Sequence, residues 1–212
     1  HERLTAVSEL VGSTDQASLD TLVRLTGDVE QRVAIASIRA IGSRRDETAF
    51  EQLKQIAANS DNGALQGCSA AELGRFKRTD YRLLTDILLN GKDPEARAGA
   101  ALGLKRLRDA ESVNSLVKAM SDTDANVRGI AFEALGRTTG RWFKFDPNAP
   151  LAARAKSIAT IKKKLTTTKS PQIIDRAGRL CTDSISGLQV GAEGLLRFDD
   201  IPLVTFGAEH IQ

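Results

Sequence analysis

The stretch that decides the fold is one pattern that the chain repeats. It reads Asp93-Pro94-Glu95-Ala96-Arg97 and restarts as Asp124-Ala125-Asn126-Val127-Arg128. Each copy continues with small residues and leucines at helical spacing, and the two arginines lie 31 positions apart (128 − 97). A period of this length is typical of a stacked array, because one unit is too small to bury its apolar face alone. We therefore interpret the chain as a row of similar helical units.

Each unit reads as two helices with signals at their starts. Asp93 and Asp124 precede first helices, where a carboxylate can accept hydrogen bonds from free amides, and Pro94 suits the first helical position. The arginines follow four residues after these acids. We expect Arg97 and Arg128 to point along the stack and to pair with an acidic group of the adjacent unit; the alternative is a row of arginines that binds a ligand.

The composition agrees with close-packed helices. The 212 residues are 41% hydrophobic and 27% charged, which is typical of a soluble globular chain. Aromatic residues make up only 4%, which favours helices packed through small residues over a β-sandwich. The sequence contains no apolar run of about 18 residues, so it predicts no transmembrane segment.

These motifs resemble the HEAT-like repeats of the bilin-lyase type, a short-period repeat typical of bacterial proteins. The resemblance spans roughly residues 15–138. It implies an all-α fold, a right-handed α-solenoid of about five HEAT-like helical-hairpin repeats. It says little about function, because such proteins include scaffolds, adaptors, phycobilin lyases, an iron-dependent hydroxylase and DNA glycosylases with a similar helical stack.

The repeat stops after Gly136, where an aromatic stretch replaces the expected second helix. The chain's only Trp, Trp142, lies beside Phe143 and Phe145. We expect these rings to seal the last apolar face of the array; the alternative is an exposed anchor for a partner. A helix over about 151–165 should follow. We predict that its inward residues are Ala152, Ala155, Ile158, Ala159 and Ile161 or Leu165, and that Lys156, Lys162, Lys163 and Lys164 face outward.

The last part of the chain differs in kind. A short helix is expected to start at Ser170-Pro171 and to run to Leu180, and glycines interrupt the apolar residues beyond it, which predicts an irregular segment with extended stretches or a hairpin. The predicted domains are thus the HEAT-like array at 1–138, an aromatic-capped basic helical closing segment at 139–180, and the irregular segment at 181–212.

Charge is distributed unevenly along the chain. Residues 137–180 contain 11 basic and 2 acidic side chains, whereas residues 181–212 contain 1 basic and 5 acidic ones. A solvated basic end is the simpler interpretation. The alternative is that residues 154–179 bind nucleic acid or an anionic surface such as a membrane.

Residues with catalytic chemistry are sparse. The two histidines, His1 and His210, lie at the chain ends, and Cys68 and Cys181 have no metal-binding spacing. We expect Cys68 to be a buried thiol among small residues. The sequence therefore predicts no catalytic, metal-binding or cofactor-binding residues.

The predicted function is protein binding by a non-catalytic scaffold or adaptor, a subunit of a larger assembly, through the surface of the second helices. The alternative is a bilin-lyase-like enzyme or chaperone. A cytoplasmic location is favoured over export, which the missing initiator Met leaves open. The residues expected to bind the unidentified protein partner are Gln52, Lys54, Gln55, Arg82, Asp86, Asn114, Lys118 and Trp142.

Overall fold

The computed structural model describes residues 2–77, 79–167, 172–173, 195–199 and 201–204. These residues contain ten α-helices and three β-strands. The helices are α1 (Glu2–Val11), α2 (Gln16–Leu25), α3 (Gln31–Arg44), α4 (Phe50–Asn59), α5 (Gly63–Leu73), α6 (Tyr81–Asn90), α7 (Pro94–Leu107), α8 (Val113–Ala119), α9 (Ala125–Thr139) and α10 (Leu151–Thr167). Short 3₁₀ turns, Glu47–Ala49 and Ala110–Ser112, precede α4 and α8.

Acidic residues cap several helix starts. Asp124, a predicted cap, accepts a hydrogen bond from the Val127 amide at 3.0 Å, and Asp15 accepts one from the Ser18 amide at 2.8 Å. Each removes one unsatisfied donor from a first turn. Helices α5, α7 and α9 begin at residues 63, 94 and 125, so the predicted 31-residue step is confirmed in the backbone.

Residues 1–107 form a first compact unit. Helices α1, α3, α5 and α7 pack against one another in sequence order, while α2, α4 and α6 each pack on the helix that follows them. This is the stacking that defines an α-solenoid, and the all-α prediction is confirmed. The core is made mostly of Leu, Ile, Val and Ala side chains, as the low aromatic content predicts, and it also contains the edge-to-face pair Phe50 and Phe76.

The closest helix contact in this unit is between α5 and α7. A Cβ added to Gly99 would meet the backbone of Gly67, and one added to Gly103 would meet the Ala70 carbonyl. Glycine is required at these sites because the two backbones touch directly. Beside this contact, the buried Glu72 carboxylate accepts hydrogen bonds from Arg106 of α7, at 3.0 Å, and from Arg75.

Residues 108–212 form a second compact unit. Helix α8 packs on α9, and the loop at 141–150 leads into α10. A three-stranded sheet has the order β1 (Gln172–Ile173), β2 (Leu195–Asp199) and β3 (Ile201–Val204). Strand β1 is parallel to β2, and β2 pairs antiparallel with β3 in the register Leu196–Val204 and Asp199–Ile201.

This sheet tests the prediction for the end of the chain. The expected hairpin is present as β2 and β3. The short helix expected from Ser170-Pro171 is wrong at its start, because Gln172–Ile173 is extended and pairs with β2. Two consecutive isoleucines at 173–174 favour a strand through their stiff, branched side chains. The rest of that predicted helix, Cys181 and His210 lie outside the described residues.

Candidate protein-binding site

The aromatic stretch, residues 141–150, is an extended segment that we call the strap. Its odd-numbered residues, from Arg141 to Ala149, are half-buried, and its even-numbered residues, from Trp142 to Pro150, are exposed. Such alternation is the period of an extended chain with one face against the protein. A turn ends it, where Asp146 accepts a hydrogen bond from the Asn148 amide at 2.8 Å.

Two aromatic rings hold the inner face of the strap. Phe145 packs against Phe132 of α9 with ring centroids 5.3 Å apart, and the Arg141 guanidinium lies 5.4 Å from the Phe143 ring centroid. Burial lowers the pKa of Arg141 from its ordinary value. The sealing role expected from the sequence therefore falls to Phe143 and Phe145.

Trp142 has a different environment. It points outward and is 65% exposed. One side of its indole lies on α9 at Gly136, where an added Cβ would be 2.9 Å from two ring carbons. A larger residue at this position would require the indole to shift, so the tryptophan packs on the helix with one side while most of its surface faces solvent.

A recurring arginine fixes the start of each late first helix. Arg97 donates to the carbonyls of Gly91 and Lys92, both at 3.0 Å. Arg128 donates to the carbonyls 31 residues later, those of Asp122 and Thr123, both at 2.8 Å. The expected partners were acidic groups of the adjacent unit, and for these bonds that expectation is wrong. The guanidinium instead binds carbonyls of the loop that joins the preceding helix to its own helix.

The same interaction identifies α10 as a further first helix. Arg154 is the fourth residue of α10, as Arg97 and Arg128 are in α7 and α9, and it donates to the Ala149 carbonyl at 3.2 Å. Arg128 also reaches forward, donating from Nε to the Pro147 carbonyl at 2.7 Å. The strap thus occupies the place of a second helix between α9 and α10.

Helix α10 presents a different inward face from the one predicted. Ile158, Ile161 and Leu165 are buried as expected. The prediction is wrong for the three small residues Ala152, Ala155 and Ala159, which are exposed. Alanine occurs on both buried and exposed faces of helices, so only the larger branched residues indicate which face of α10 is buried.

The strap and α10 enclose a groove with a volume of about 310 Å³. Its floor is apolar, formed by Phe143, Phe145 and Ile161. Three lysines, Lys144, Lys156 and Lys164, stand around it. Its remaining lining residues are Asp146, Ala149, Ser157 and Thr160.

Sequence reasoning missed this groove as a site, since it recognised its rings and lysines only separately. The lining residues of α10 at 156, 157, 160, 161 and 164 do follow helical spacing. That signal alone could not pair this face with the strap.

The other predicted binding residues lie on second helices in each unit. In the first unit, Lys54, Gln55, Arg82 and Asp86 are exposed, whereas Gln52 is half-buried and lies 3.4 Å from the Thr26 hydroxyl. In the second unit, Asn114 and Lys118 are exposed on α8. Their role in binding stays a prediction.

Cys68 is half-buried, and its thiol lies 3.9 Å from the Ile35 carbonyl. Burial raises the pKa of this thiol to about 11. At neutral pH it is therefore protonated, and a nucleophilic role is disfavoured because the thiolate is the reactive form.

The repeated geometry agrees with the comparison with known families. The family model described as HEAT repeats matches residues 81–154, from the first residue of α6 to the arginine of α10. This part of the chain therefore consists of HEAT-like repeats. The finer resemblance to the bilin-lyase type stays a prediction. No curated protein matches the sequence. Among the helices described, none is both long and apolar enough to span a membrane.

Proposed function

We propose that this HEAT-like protein is a non-catalytic scaffold or adaptor that binds another protein and serves as a subunit of a larger assembly. HEAT repeats commonly mediate interactions between proteins. The observation that carries the proposal is Trp142, a large aromatic side chain that is 65% exposed and packs against Gly136 with one side. Tryptophan is enriched among residues that dominate binding energy, because its rigid side chain buries a large area at a low cost in conformational entropy.

The second helices supply further contact surface in this proposal. Their exposed residues carry both signs of charge, as in Lys54, Arg82 and Asp86. Mixed polar residues of this kind suit the rim of an interface, where they set specificity and association rate. Asn114 and Lys118 would play the same part on α8.

Cross-linking mass spectrometry on protein captured from its native lysate tests the proposal. We expect one stoichiometric protein to cross-link to lysines near Trp142, such as Lys144, or to Lys54 and Lys118. Trp142→Ala should reduce its recovery at least about tenfold, since one hot-spot residue contributes about 2 kcal/mol or more.

Leu151→Ala is the matched control, because Leu151 is also a large apolar side chain of the second unit and is 70% exposed. Recovery should hardly change in this variant. Equal loss in both variants would contradict the role of Trp142. A coloured preparation carrying a bilin in place of a protein would instead support the lyase-like alternative.

A further inference from the structure

We propose that the groove between the strap and α10 binds an extended acidic peptide segment of the protein partner, with an apolar side chain of that segment on the groove floor. This inference deepens the proposed function and rests on it. It adds the chemistry of the ligand and the residues that recognise it.

The groove is lined by more positive than negative side chains. Lys144, Lys156 and Lys164 line the groove together with a single carboxylate, that of Asp146. Asp146 already accepts the Asn148 amide within its own turn. Lys144 and Lys156 form no ion pair with any residue that the structure describes. The groove therefore carries excess positive charge, and an acidic ligand would complement it.

The floor of the groove is apolar. Phe143, Phe145 and Ile161 present apolar surface inside the ring of lysines. A small inorganic anion would leave this surface exposed to water, whereas a peptide can place an aliphatic or aromatic side chain on it. Burying such a side chain contributes favourable free energy that charge alone cannot supply.

The ring faces distinguish a peptide from a nucleic acid. Binding of single strands depends on open aromatic faces on which bases stack. Here the Arg141 guanidinium lies over Phe143, and Phe132 packs on Phe145. The rings are engaged within the protein, so they suit side-chain packing better than base stacking.

The groove is also held open by its own hydrogen bonds. Near one end Arg141 of the strap donates to the Lys164 carbonyl of α10 at 3.0 Å. Near the other end Arg154 of α10 donates to the Ala149 carbonyl of the strap at 3.2 Å. Both walls are thus fixed before a ligand arrives, which lowers the entropic cost of binding. A volume of about 310 Å³ suits one anchoring side chain with its flanking backbone better than a large ligand.

Fluorescence anisotropy with the full chain tests this inference. The probe is a fluorescein-labelled eight-residue peptide of alternating aspartate and leucine. The comparison peptides alternate aspartate with glycine, which removes the apolar anchor, and lysine with leucine, which reverses the charge. We expect the first probe to bind at least about tenfold more tightly than either comparison peptide.

Paired variants locate the binding. The double variant Lys144→Glu, Lys156→Glu should bind the probe at least about tenfold more weakly than the wild type. Thr160→Trp, which fills the groove without changing its charge, should weaken binding of the probe by a similar factor. Lys162→Glu with Lys163→Glu is the matched control, since it makes the same charge change on exposed lysines of α10 outside the groove. It should weaken the probe less than about threefold. Thermal melts confirm that each variant is folded.

Equal weakening by both lysine pairs would overturn the inference, because it would show unspecific attraction. So would tighter binding of a single-stranded oligonucleotide, or of vesicles containing phosphatidylserine, with the same dependence on Lys144 and Lys156. If the peptide fails to bind but Trp142→Ala still loses a captured protein, this inference is wrong and the proposed function stands. If both results are negative, both are wrong.

Discussion

Arg128 shows how one side chain can set the repeat. It is 6% exposed, and its guanidinium donates to three backbone carbonyls, two in the loop before α9 and one in the strap after it. Arginine suits this position because its planar fork reaches several acceptors at once, whereas lysine presents a single ammonium group. The residue therefore works as a cap for backbone on both sides of its helix.

We predict that Arg128→Lys lowers the free energy of unfolding by about 2–3 kcal/mol, because carbonyls of the loop and strap lose their donors. Urea unfolding measures this change. Arg137→Lys is the control, since Arg137 is exposed on the same helix, and it should stay within about 0.5 kcal/mol of the wild type. Similar values for the two variants would contradict the capping role.

The glycines between α5 and α7 predict a second effect. Gly99→Ala should destabilise the protein by about 1–3 kcal/mol, because its Cβ would overlap the backbone of Gly67, which cannot move independently of its helix. Gly129→Ala should stabilise it by up to about 1 kcal/mol, since Gly129 is also helical and its nearest neighbour, Pro147, would lie at an ordinary 3.9 Å. Thermal or urea unfolding measures both changes in stability, which should have opposite signs. A stabilising Gly99→Ala would refute the close approach.

At the scale of the element, the start of α2 predicts a dependence on pH. The pKa of Asp15 lies well below its ordinary 3.8, because the Ser13 hydroxyl and the Ser18 amide and hydroxyl donate to the carboxylate. A lowered pKa in the folded state adds stability above the pKa of the unfolded state, and this stability is lost as the pH falls through the folded value.

We therefore expect wild type to be more stable than Asp15→Asn by a constant margin above about pH 5, and the margin to shrink below about pH 4. Melting temperatures of the two proteins across this range measure it. Ser13→Ala removes the first donor to the Asp15 carboxylate. In this background, the stability margin over Asp15→Asn above about pH 5 should therefore be smaller. A margin that grows as the pH falls would show that the linkage has the opposite sign.

Elements also differ in how far the sequence predicts them. Helix starts such as those after Asp15 and Asp124 were predictable, because a cap and its amides lie within a few residues. The sequence did not predict the hydrogen-bond partners of Arg97, nor that Ala152 and Ala155 lie on the exposed side of α10. Those depend on where loops and neighbouring helices lie, which no local pattern encodes, and small apolar side chains are tolerated on either face.

The groove could not be predicted from local sequence patterns for the same reason. Its lysines at 144 and 156 belong to different elements, and only the hydrogen bonds of Arg141 and Arg154 bring the strap against α10. The aromatic strap itself was predictable from its composition. That Trp142 would face outward while Phe143 and Phe145 face inward follows from the extended backbone, which was unknown from the sequence.

For the molecule as a whole, the repeats present many side chains on the surface of their helices. Each helical pair buries apolar side chains against its neighbours and exposes polar side chains on its second helix. Possible contact residues therefore recur from repeat to repeat. In the second unit, the array adds an exposed tryptophan and a basic groove on a preformed frame. These features together carry the proposal of protein binding.

Native mass spectrometry of the protein captured from its own lysate is the decisive test of protein binding. We expect a complex with one protein partner in fixed stoichiometry, retained by Leu151→Ala and reduced at least about tenfold by Trp142→Ala. A folded protein that carries a nucleic acid or a small molecule in place of a protein partner would contradict the proposed function, as would a complex that Trp142→Ala leaves unchanged.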